Sequence, residues 1–232
     1  MPAFIFDLDG TLVDTVYAHV GAWQHAFADA GMAVSGWRIH RRIGMSGDVF
    51  IREAAEETGR VILPEEAAAI KRGHEEWYKK LLPVRTPLPG AQQFLHYLRN
   101  ERIPYGIATS GTQPGIEASL EALGVNGDTV VVERAHVKNA KPDPELFLLC
   151  AEKLGHIPQD CIVIGDAVWD FMAAQRAGMK GIGVLSGGTG SAELLRSGAS
   201  RLFDDLRHLH RTIVRDGIDT LFTMEVPSSS GE

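Results

Sequence analysis

The fold class of this chain can be inferred from one short stretch, AFIFDLDGT at residues 3–11. Residues 3–6 form a continuous apolar run of aromatic and β-branched side chains, which is typical of a strand buried on both faces of a parallel sheet. The run stops at Asp7 and Asp9, and ligands of open parallel sheets bind beyond the carboxyl ends of the strands. The stretch therefore predicts a central strand that carries two carboxylates to a ligand-binding edge.

Further apolar runs of the same kind follow at residues 105–108, 129–132, 161–164 and 181–185. Helical patterns lie between them, for example Ile116, Leu120 and Leu123 at spacings of four and three. Alternating strands and helices predict an α/β fold, a doubly wound parallel sheet with helices on both faces. We assign residues 1–14 and 88–225 to this core, and we expect the Ser-rich tail 226–232 to be disordered.

Residues 15–87 contain helical patterns and no strand-like run, which predicts a helical insertion after the first strand. Thr15 and Ser46 are placed to cap two of its helices, and Pro64 to begin a third. One face of the first helix comprises Val16, Val20, Trp23 and Phe27. One face of the third comprises Ile70, His74, Trp77 and Leu81.

Composition narrows the function classes. The chain has 232 residues, of which 44% are hydrophobic and 23% charged, and this is ordinary for a globular protein. A net charge of −7 gives no sign of a nucleic-acid binder, which usually has a basic face. The negative surface also means that a phosphorylated substrate needs local positive charge or a metal at its site.

The expected location is the cytoplasm. Residues 1–7 do not have the pattern of a signal peptide, and no segment approaches the ~18 apolar residues of a membrane span. The two cysteines, Cys150 and Cys161, lie in apolar stretches and are expected to be reduced core residues. We expect a monomer or a homodimer, with no membrane or nucleic-acid partner.

The residues that follow the predicted strands, in the case of Lys141 across a short loop, carry a coherent chemistry. They are Asp7, Asp9, Thr109, Lys141, Asp166 and, one helical turn later, Asp170. Carboxylates suit Mg²⁺, which bridges to phosphate oxygens. One carboxylate can attack phosphorus, and a second can protonate the leaving oxygen and then activate water. A hydroxyl and a lysine can hold the phosphoryl oxygens.

The same residues carry a resemblance to a known family. DLDGTLVDT at residues 7–15, then Thr109, then Lys141-Pro142, then Gly165-Asp166 with Asp170, resembles the four motifs of the haloacid dehalogenase superfamily, in the family's order. The resemblance runs from residue 3 to about residue 209. The insertion resembles the α-helical cap that one subfamily carries over a Rossmann-like core.

The resemblance implies a role for each matching residue. Asp7 is the nucleophile and a metal ligand, and Asp9 is the general acid/base whose backbone carbonyl also binds the metal. Thr109 binds the phosphoryl group, with Ser110 and Gly111 beside it as substrate-binding residues. Lys141 stabilises charge and Asp166 is a metal ligand. Asp170 is a further ligand or, as we prefer, a group that orients the site without touching the metal.

Candidates for substrate recognition lie in the insertion. His19 resembles a histidine that faces the active site in the β-phosphoglucomutase and sugar-phosphatase branch, although it can equally be a surface histidine. Arg41 and Arg42 can bind a remote anionic group of the substrate, and of the two we assign this role to Arg42. The turn at residues 44–47 can enter the site. Gly187, Gly188 and Gly190 predict a loop near the rim of the site.

These assignments predict a Mg²⁺-dependent phosphatase that acts on a small-molecule phosphate ester, phosphoglycolate or a sugar phosphate, through an aspartyl-phosphate. The alternative is a phosphosugar mutase of the β-phosphoglucomutase type, which has an arginine where this chain has Gly47. A phosphonate hydrolase needs a cap lysine, and Lys71 is poorly placed for it. A binder without catalytic activity does not need the full set of motifs. The presence of Asp9 argues against dehalogenation.

Overall fold

The computed structural model describes residues 2–125 and 127–221. Its strands are β1 Ala3–Phe6, β2 Tyr105–Ala108, β3 Val130–Val132, β4 Cys161–Gly165, β5 Lys180–Val184 and β6 Ala199–Phe203. Its α-helices are α1 Val16–Asp29, α2 Gly36–His40, α3 Gly47–Glu57, α4 Pro64–Leu81, α5 Ala91–Asn100, α6 Glu117–Ala122, α7 Glu145–Leu154, α8 Val168–Ala177, α9 Ser191–Arg196 and α10 Leu206–Asp216. None of these helices has both the length and the apolar character that a bilayer crossing requires. The tail predicted to be disordered, 226–232, lies outside the described residues, as does the predicted end of the core at 225.

The strands form a parallel sheet of order β3-β2-β1-β4-β5-β6. β1 lies at its centre, with Phe4 opposite Tyr105 of β2 on one side and Ile162 of β4 on the other. The order reverses on either side of β1, so the carboxyl ends of β1, β2 and β4 form one continuous edge. The prediction of a doubly wound α/β fold is confirmed.

The two faces of the sheet pack against different helices. On one face, Phe4, Phe6 and Ile164 pack with α5 and α10 into the largest apolar cluster. On the other face, Ile5 and Val163 pack with α7 and α8. Cys150 and Cys161 are buried in this second cluster as free thiols, as the sequence predicts. Because β1 is buried on both faces, its carboxyl end is held rigidly.

The strand β6 was not predicted from the sequence. Among the described residues it pairs with β5 alone, and while Ala199 and Phe203 are buried, Ser200 is exposed. An edge strand with polar positions lacks the continuous apolar run by which the inner strands were recognised. The short helix α2 was missed as well, because five residues are too few to show a helical period.

The helices α1–α4 enclose an apolar cluster of their own, which includes Trp23, Phe27 and Phe50. Pro64 begins α4 as predicted, but the predicted face of that helix is partly wrong. Ile70 and Tyr78 are its buried residues, whereas Leu81 is 43% exposed. The structure also contradicts the predicted hydroxyl caps, since neither Thr15 nor Ser46 makes a side-chain bond to the helix that follows it.

The chain enters and leaves these helices at one place. Val13 and Pro87 form an antiparallel bridge. The N–H of Asp14 donates to the carbonyl of Thr86 at 2.9 Å, and the N–H of Leu88 donates to the carbonyl of Leu12 at 2.9 Å. The two connecting segments therefore run side by side between the sheet and the helices.

Gly90, at the end of the returning segment, supports a prediction about stability. Its φ is +88°, and a Cβ there would overlap the backbone nitrogen of Arg207. Gly124 also has a positive φ, +68°, but has open space around it. We expect Gly90→Ala to lower the free energy of unfolding by about 3 kcal/mol, as it adds a backbone clash to the left-handed conformation, and Gly124→Ala by only about 1 kcal/mol. Urea unfolding of both variants tests this, and equal losses would contradict it.

Candidate active site

The carboxyl ends of the strands bring five of the predicted site residues together. Asp7 follows β1, Thr109 follows β2 and Asp166 follows β4, while Lys141 comes from the segment before α7 and Asp170 from the first turn of α8. All five are buried. Buried charged groups are rare unless they are paired or bind a ligand, so this edge differs chemically from the rest of the core.

Lys141 is fully buried between two carboxylates. Its Nζ donates to Oδ1 of Asp7 and to Oδ1 of Asp170, the latter at 2.9 Å. Burial alone would lower the pKa of Lys141, but the charges of Asp170 and Asp7 raise it above its ordinary value. Lys141 is therefore protonated at neutral pH and carries positive charge beside the carboxylate of Asp7.

Asp170 organises the loop that carries Asp166. Its Oδ2 accepts the backbone N–H groups of Asp166 at 3.2 Å and Ala167 at 3.0 Å, while its Oδ1 accepts Lys141. Asp166 in turn accepts the hydroxyl of Thr11 at Oδ1, at 2.7 Å. Both oxygens of Asp170 are thus engaged by the protein, which fits an orienting role better than metal ligation.

The carboxylates fit a hard divalent cation. Oxygens of Asp7, Asp166 and Asp170 all lie within 4.8 Å of one another. Burial and the neighbouring carboxylates raise the pKa of Asp7 to about 7 and that of Asp166 well above its ordinary value. Both shifts mark negative charge that Lys141 does not balance. Oxygen donors with excess negative charge are what Mg²⁺ prefers in proteins.

Asp9 lies in a different environment. Oδ1 accepts the hydroxyl of Thr15 at 2.7 Å and lies 3.4 Å from Nε2 of His19. Burial would raise the pKa of Asp9, but the contacts with His19 and Thr15 lower it below its ordinary value. Thr15, predicted to cap α1, instead bonds Asp9, so the acid/base candidate is held by the first turn of α1.

His19 continues from Asp9 to a second histidine. Its Nδ1 lies 3.0 Å from Nε2 of His74 on α4. The ring of His19 stacks on Tyr78 with 3.9 Å between centroids, and the ring of His74 stacks on Trp23 at 4.0 Å. The sequence leaves open whether His19 faces the active site or the surface of the helix. In the structure it lies against Asp9.

The turn at residues 44–47 also contacts the site, through the predicted substrate-binding loop. The hydroxyl of Ser110 donates to the carbonyl of Gly44 at 2.8 Å. The N–H of Gly111 donates to Oγ1 of Thr109 at 3.0 Å, which fixes the orientation of that hydroxyl. These contacts bring the turn between α2 and α3 against the end of β2.

Arg42 is not brought to the carboxylates. Its guanidinium bonds Glu53 and Glu57, both on α3, and these bonds raise its pKa although burial lowers it. Arg41 forms an ion pair with Glu193 of α9. The guanidinium of Arg42 is thus neutralised by two carboxylates of α3, and its role in binding an anionic group of the substrate stays a prediction.

The glycine loop after β5 closes the site on the side of Asp166. Cβ atoms at Gly10 and Gly187 would each overlap the carboxylate of Asp166, so both positions require glycine. The hydroxyl of Ser186 donates to the carbonyl of Gly10 at 2.7 Å. Beside this loop a cavity of about 400 Å³ opens, lined by Tyr17 and His40 among others. The loop lies at the rim of the site, where the sequence places it.

Sequence reasoning missed three residues that contact the site. Thr11 lies within the first motif, and nothing in the local sequence indicates that its hydroxyl bonds Asp166, which is 155 positions away. His74 and Tyr78 lie on α4, where the helical period marks only the side that packs. A histidine and an aromatic residue one turn apart are common in cores, so no local signal separates these two from packing residues.

Comparison with known proteins agrees with this geometry. A model of the haloacid dehalogenase-like hydrolase family matches residues 4–184. Fructose-1-phosphate phosphatase YqaB of Escherichia coli (strain K12) is 33% identical over 183 residues, which cover 78% of this chain and 94% of that protein. β-Phosphoglucomutase of Bacillus subtilis (strain 168) is 32% identical over 197 residues, with 81% and 84% coverage. The crystal structure of a hydrolase from Pseudomonas syringae superposes with a TM-score of 0.89 at 41% identity, covering 92% of this chain and 98% of that one.

The raised pKa of Asp7 predicts how stability depends on pH when divalent cations are removed. Between the unfolded pKa of about 3.9 and the native value of about 7, the native carboxyl holds more protons than the unfolded one, so Asp7 destabilises the fold as pH rises. We expect the stability advantage of Asp7→Asn over the unsubstituted protein to grow by roughly 2 kcal/mol from pH 5 to pH 8.

Urea unfolding in EDTA at both pH values measures this difference. Comparing the two proteins cancels the opposite contribution of His74, whose pKa is lowered by burial and by His19. A stability difference that stays constant or shrinks with rising pH would contradict the prediction.

Proposed function

The chain belongs to the haloacid dehalogenase-like hydrolase family, and from this premise we propose that it is a Mg²⁺-dependent phosphatase acting on a small phosphomonoester. The observation that carries the proposal is the buried group of Asp7, Lys141, Asp166 and Asp170 at one sheet edge, with Asp9 two residues beyond Asp7. This group of residues combines a proposed nucleophile, the positive charge of Lys141 and carboxylates that can bind a metal.

In the proposed reaction a carboxylate oxygen of Asp7 attacks phosphorus and the bond from phosphorus to the ester oxygen breaks. Asp9 gives its proton to that oxygen, which leaves as an alcohol. Asp9, now a carboxylate, takes a proton from a water molecule, which attacks the phosphorus bound to Asp7. Inorganic phosphate leaves and both aspartates return to their starting states.

The other residues balance the negative charge and position the phosphoryl group. Lys141 offsets the negative charge of the phosphoryl group and of Asp7. The hydroxyl of Thr109 and the backbone N–H of Ser110 offer donors to the phosphoryl oxygens, while the N–H of Gly111 orients Thr109. The metal would be held by Asp7, Asp166 and the backbone carbonyl of Asp9. When bound, Mg²⁺ supplies positive charge that draws the phosphoryl oxygens and the nucleophile together.

We further propose that residues 15–87 form a cap over this edge. Support comes from the separate apolar cluster of α1–α4 and from the paired connecting segments. The cap contributes His19 and the turn 44–47, which contacts Ser110. A cap in this place excludes bulk water during turnover and limits the substrate to small molecules.

The paired arginines support a substrate whose organic part is neutral. Arg41 and Arg42 were the candidates for a second anionic group, and both are neutralised by glutamates. A sugar or polyol phosphate therefore fits better than phosphoglycolate, which carries a carboxylate. A phosphosugar mutase must bind a second phosphate, and at the position of its arginine this chain has Gly47, packed on Trp23. Hydrolysis is thus favoured over the mutase alternative.

The role of Asp7 is tested by its amide. Asp7→Asn should reduce Mg²⁺-dependent release of phosphate from fructose 1-phosphate by at least about 10³-fold, because the amide is not a nucleophile. Asp14→Asn is the matched control, since Asp14 is exposed in the same segment. EDTA should abolish activity and Mg²⁺ restore it. Full activity of Asp7→Asn, or activity that EDTA leaves unchanged, would refute the mechanism.

The substrate class is tested by a panel of esters. We expect sugar and polyol phosphates to be hydrolysed with a higher kcat/KM than phosphoglycolate, by about tenfold or more, because an unpaired buried carboxylate is costly. β-Glucose 1-phosphate should release phosphate without forming glucose 6-phosphate. A preference for phosphoglycolate would refute the neutral-ligand argument, and isomerisation without release would establish the mutase.

A further inference from the structure

A line of hydrogen-bonding groups connects Asp9 with the far helix of the insertion. Oδ1 of Asp9 lies 3.4 Å from Nε2 of His19, and Nδ1 of His19 lies 3.0 Å from Nε2 of His74. Both ring nitrogens of His19 are thus engaged, one by the acid/base candidate and one by a residue 55 positions later in the chain.

The rings in this line are held on both sides. His19 stacks on Tyr78 with an interplanar angle of 8°, and His74 stacks on Trp23 at 17°. The contacts join α1, which carries His19 and Trp23, to α4, which carries His74 and Tyr78. Rotation of either ring would break a stack as well as a hydrogen bond, so the imidazole of His19 is fixed in direction.

His74 suits the position because its imidazole can act either as a donor or as an acceptor at Nε2. Desolvation and the proximity of His19 hold the pKa of His74 well below its ordinary value, so its ring is neutral. A neutral imidazole carries one N–H and one lone pair. It can therefore bond Nδ1 of His19 whether that nitrogen is protonated or bare.

We propose that His74 is a positioning residue for Asp9: it holds His19 so that Nε2 of His19 faces Oδ1 of Asp9. The proposal rests on the acid/base role of Asp9 in the proposed function. Thr15 donates to the same oxygen, Oδ1. With both contacts on Oδ1, the carboxylate is oriented so that Oδ2 is the oxygen presented for proton transfer to and from the substrate and water.

The chain provides a matched control for simple packing. His25 on α1 stacks on Trp77 of α4 at 4.1 Å and 16°, nearly the same geometry as His74 on Trp23. His25 is exposed and lies on a different side of α1 from His19. If His74 only packed helices together, replacing either histidine would have the same kind of effect.

The test uses two esters that differ in their need for a general acid. A sugar hydroxyl leaves as an alcohol only with a proton, whereas p-nitrophenolate leaves without one near neutral pH. His74→Phe keeps a ring on Trp23 and removes the nitrogen atoms, so it should slow the first turnover of fructose 1-phosphate, in which Asp9 acts as an acid, about tenfold. It should change the first-turnover release of p-nitrophenolate by less than about twofold, because that bond breaks without an acid and before Asp9 acts as a base on water.

Two further variants complete the series. His74→Gln, whose amide can donate or accept, should recover most of the loss with fructose 1-phosphate. His25→Phe should leave the ratio of the two first-turnover rates unchanged. A His74→Phe variant that slows the first turnover of both esters by the same factor, or of neither, would overturn the positioning role.

An activity-independent measurement separates this inference from the proposed function. Nitrogen-15 NMR of the histidine rings should show the Nδ1 signal of His19 shifting in His74→Phe and unchanged in His25→Phe. If Nδ1 does not respond to His74→Phe, the contact is absent in solution and the proposal is wrong. An unsubstituted protein that hydrolyses neither ester would refute the phosphatase function, while the NMR result would still decide the His19–His74 contact.

Discussion

The charge imbalance at the carboxyl edge of the sheet is the constraint on which the rest of the site depends. Asp7, Asp166 and Asp170 lie together in a region removed from water, where Lys141 bonds Asp7 and Asp170. Like charges repel strongly there, and burial penalises each ionised carboxylate. Nearby features reduce this cost: the hydroxyl of Thr11 and two backbone N–H groups bind the carboxylates directly. The remaining negative charge suits the edge to a cation, so the property that destabilises the metal-free fold is the one that the proposed catalysis uses.

The two proposed catalytic aspartates are held by different parts of the molecule. Asp7 directly follows β1 of the sheet and is paired with Lys141, whereas Asp9 contacts Thr15, which precedes α1, and His19 of α1. Their pKa values shift in opposite directions for this reason, upward for Asp7 through burial and downward for Asp9 despite it. In the metal-free protein these directions are the reverse of those that the proposed nucleophile and acid need: a bound cation would lower the pKa of Asp7, and the phosphoryl group of a substrate would raise that of Asp9.

Sequence alone predicted the buried centre of this protein better than its borders. The inner strands are recognisable because burial on both faces leaves an uninterrupted apolar run, and the polar residues that follow them must share an edge. The edge strand β6 carries polar residues and escaped that criterion. The contact between Thr11 and Asp166, and the one between His19 and His74, join positions far apart in the chain. Such pairings depend on how layers pack, and no local pattern encodes them. For Arg42 the sequence suggested a contact with the substrate, and its pairing with two glutamates of α3 became visible only in three dimensions.

The side-by-side connecting segments have an evolutionary consequence. Because the chain leaves the sheet after Val13 and returns at Pro87 to form an antiparallel bridge, the ends of the inserted helices lie only about 5 Å apart. A segment whose ends meet at that distance leaves the pairing of the strands unaffected. The length and shape of the insertion can therefore diverge while the residues at the sheet edge beneath it keep their positions.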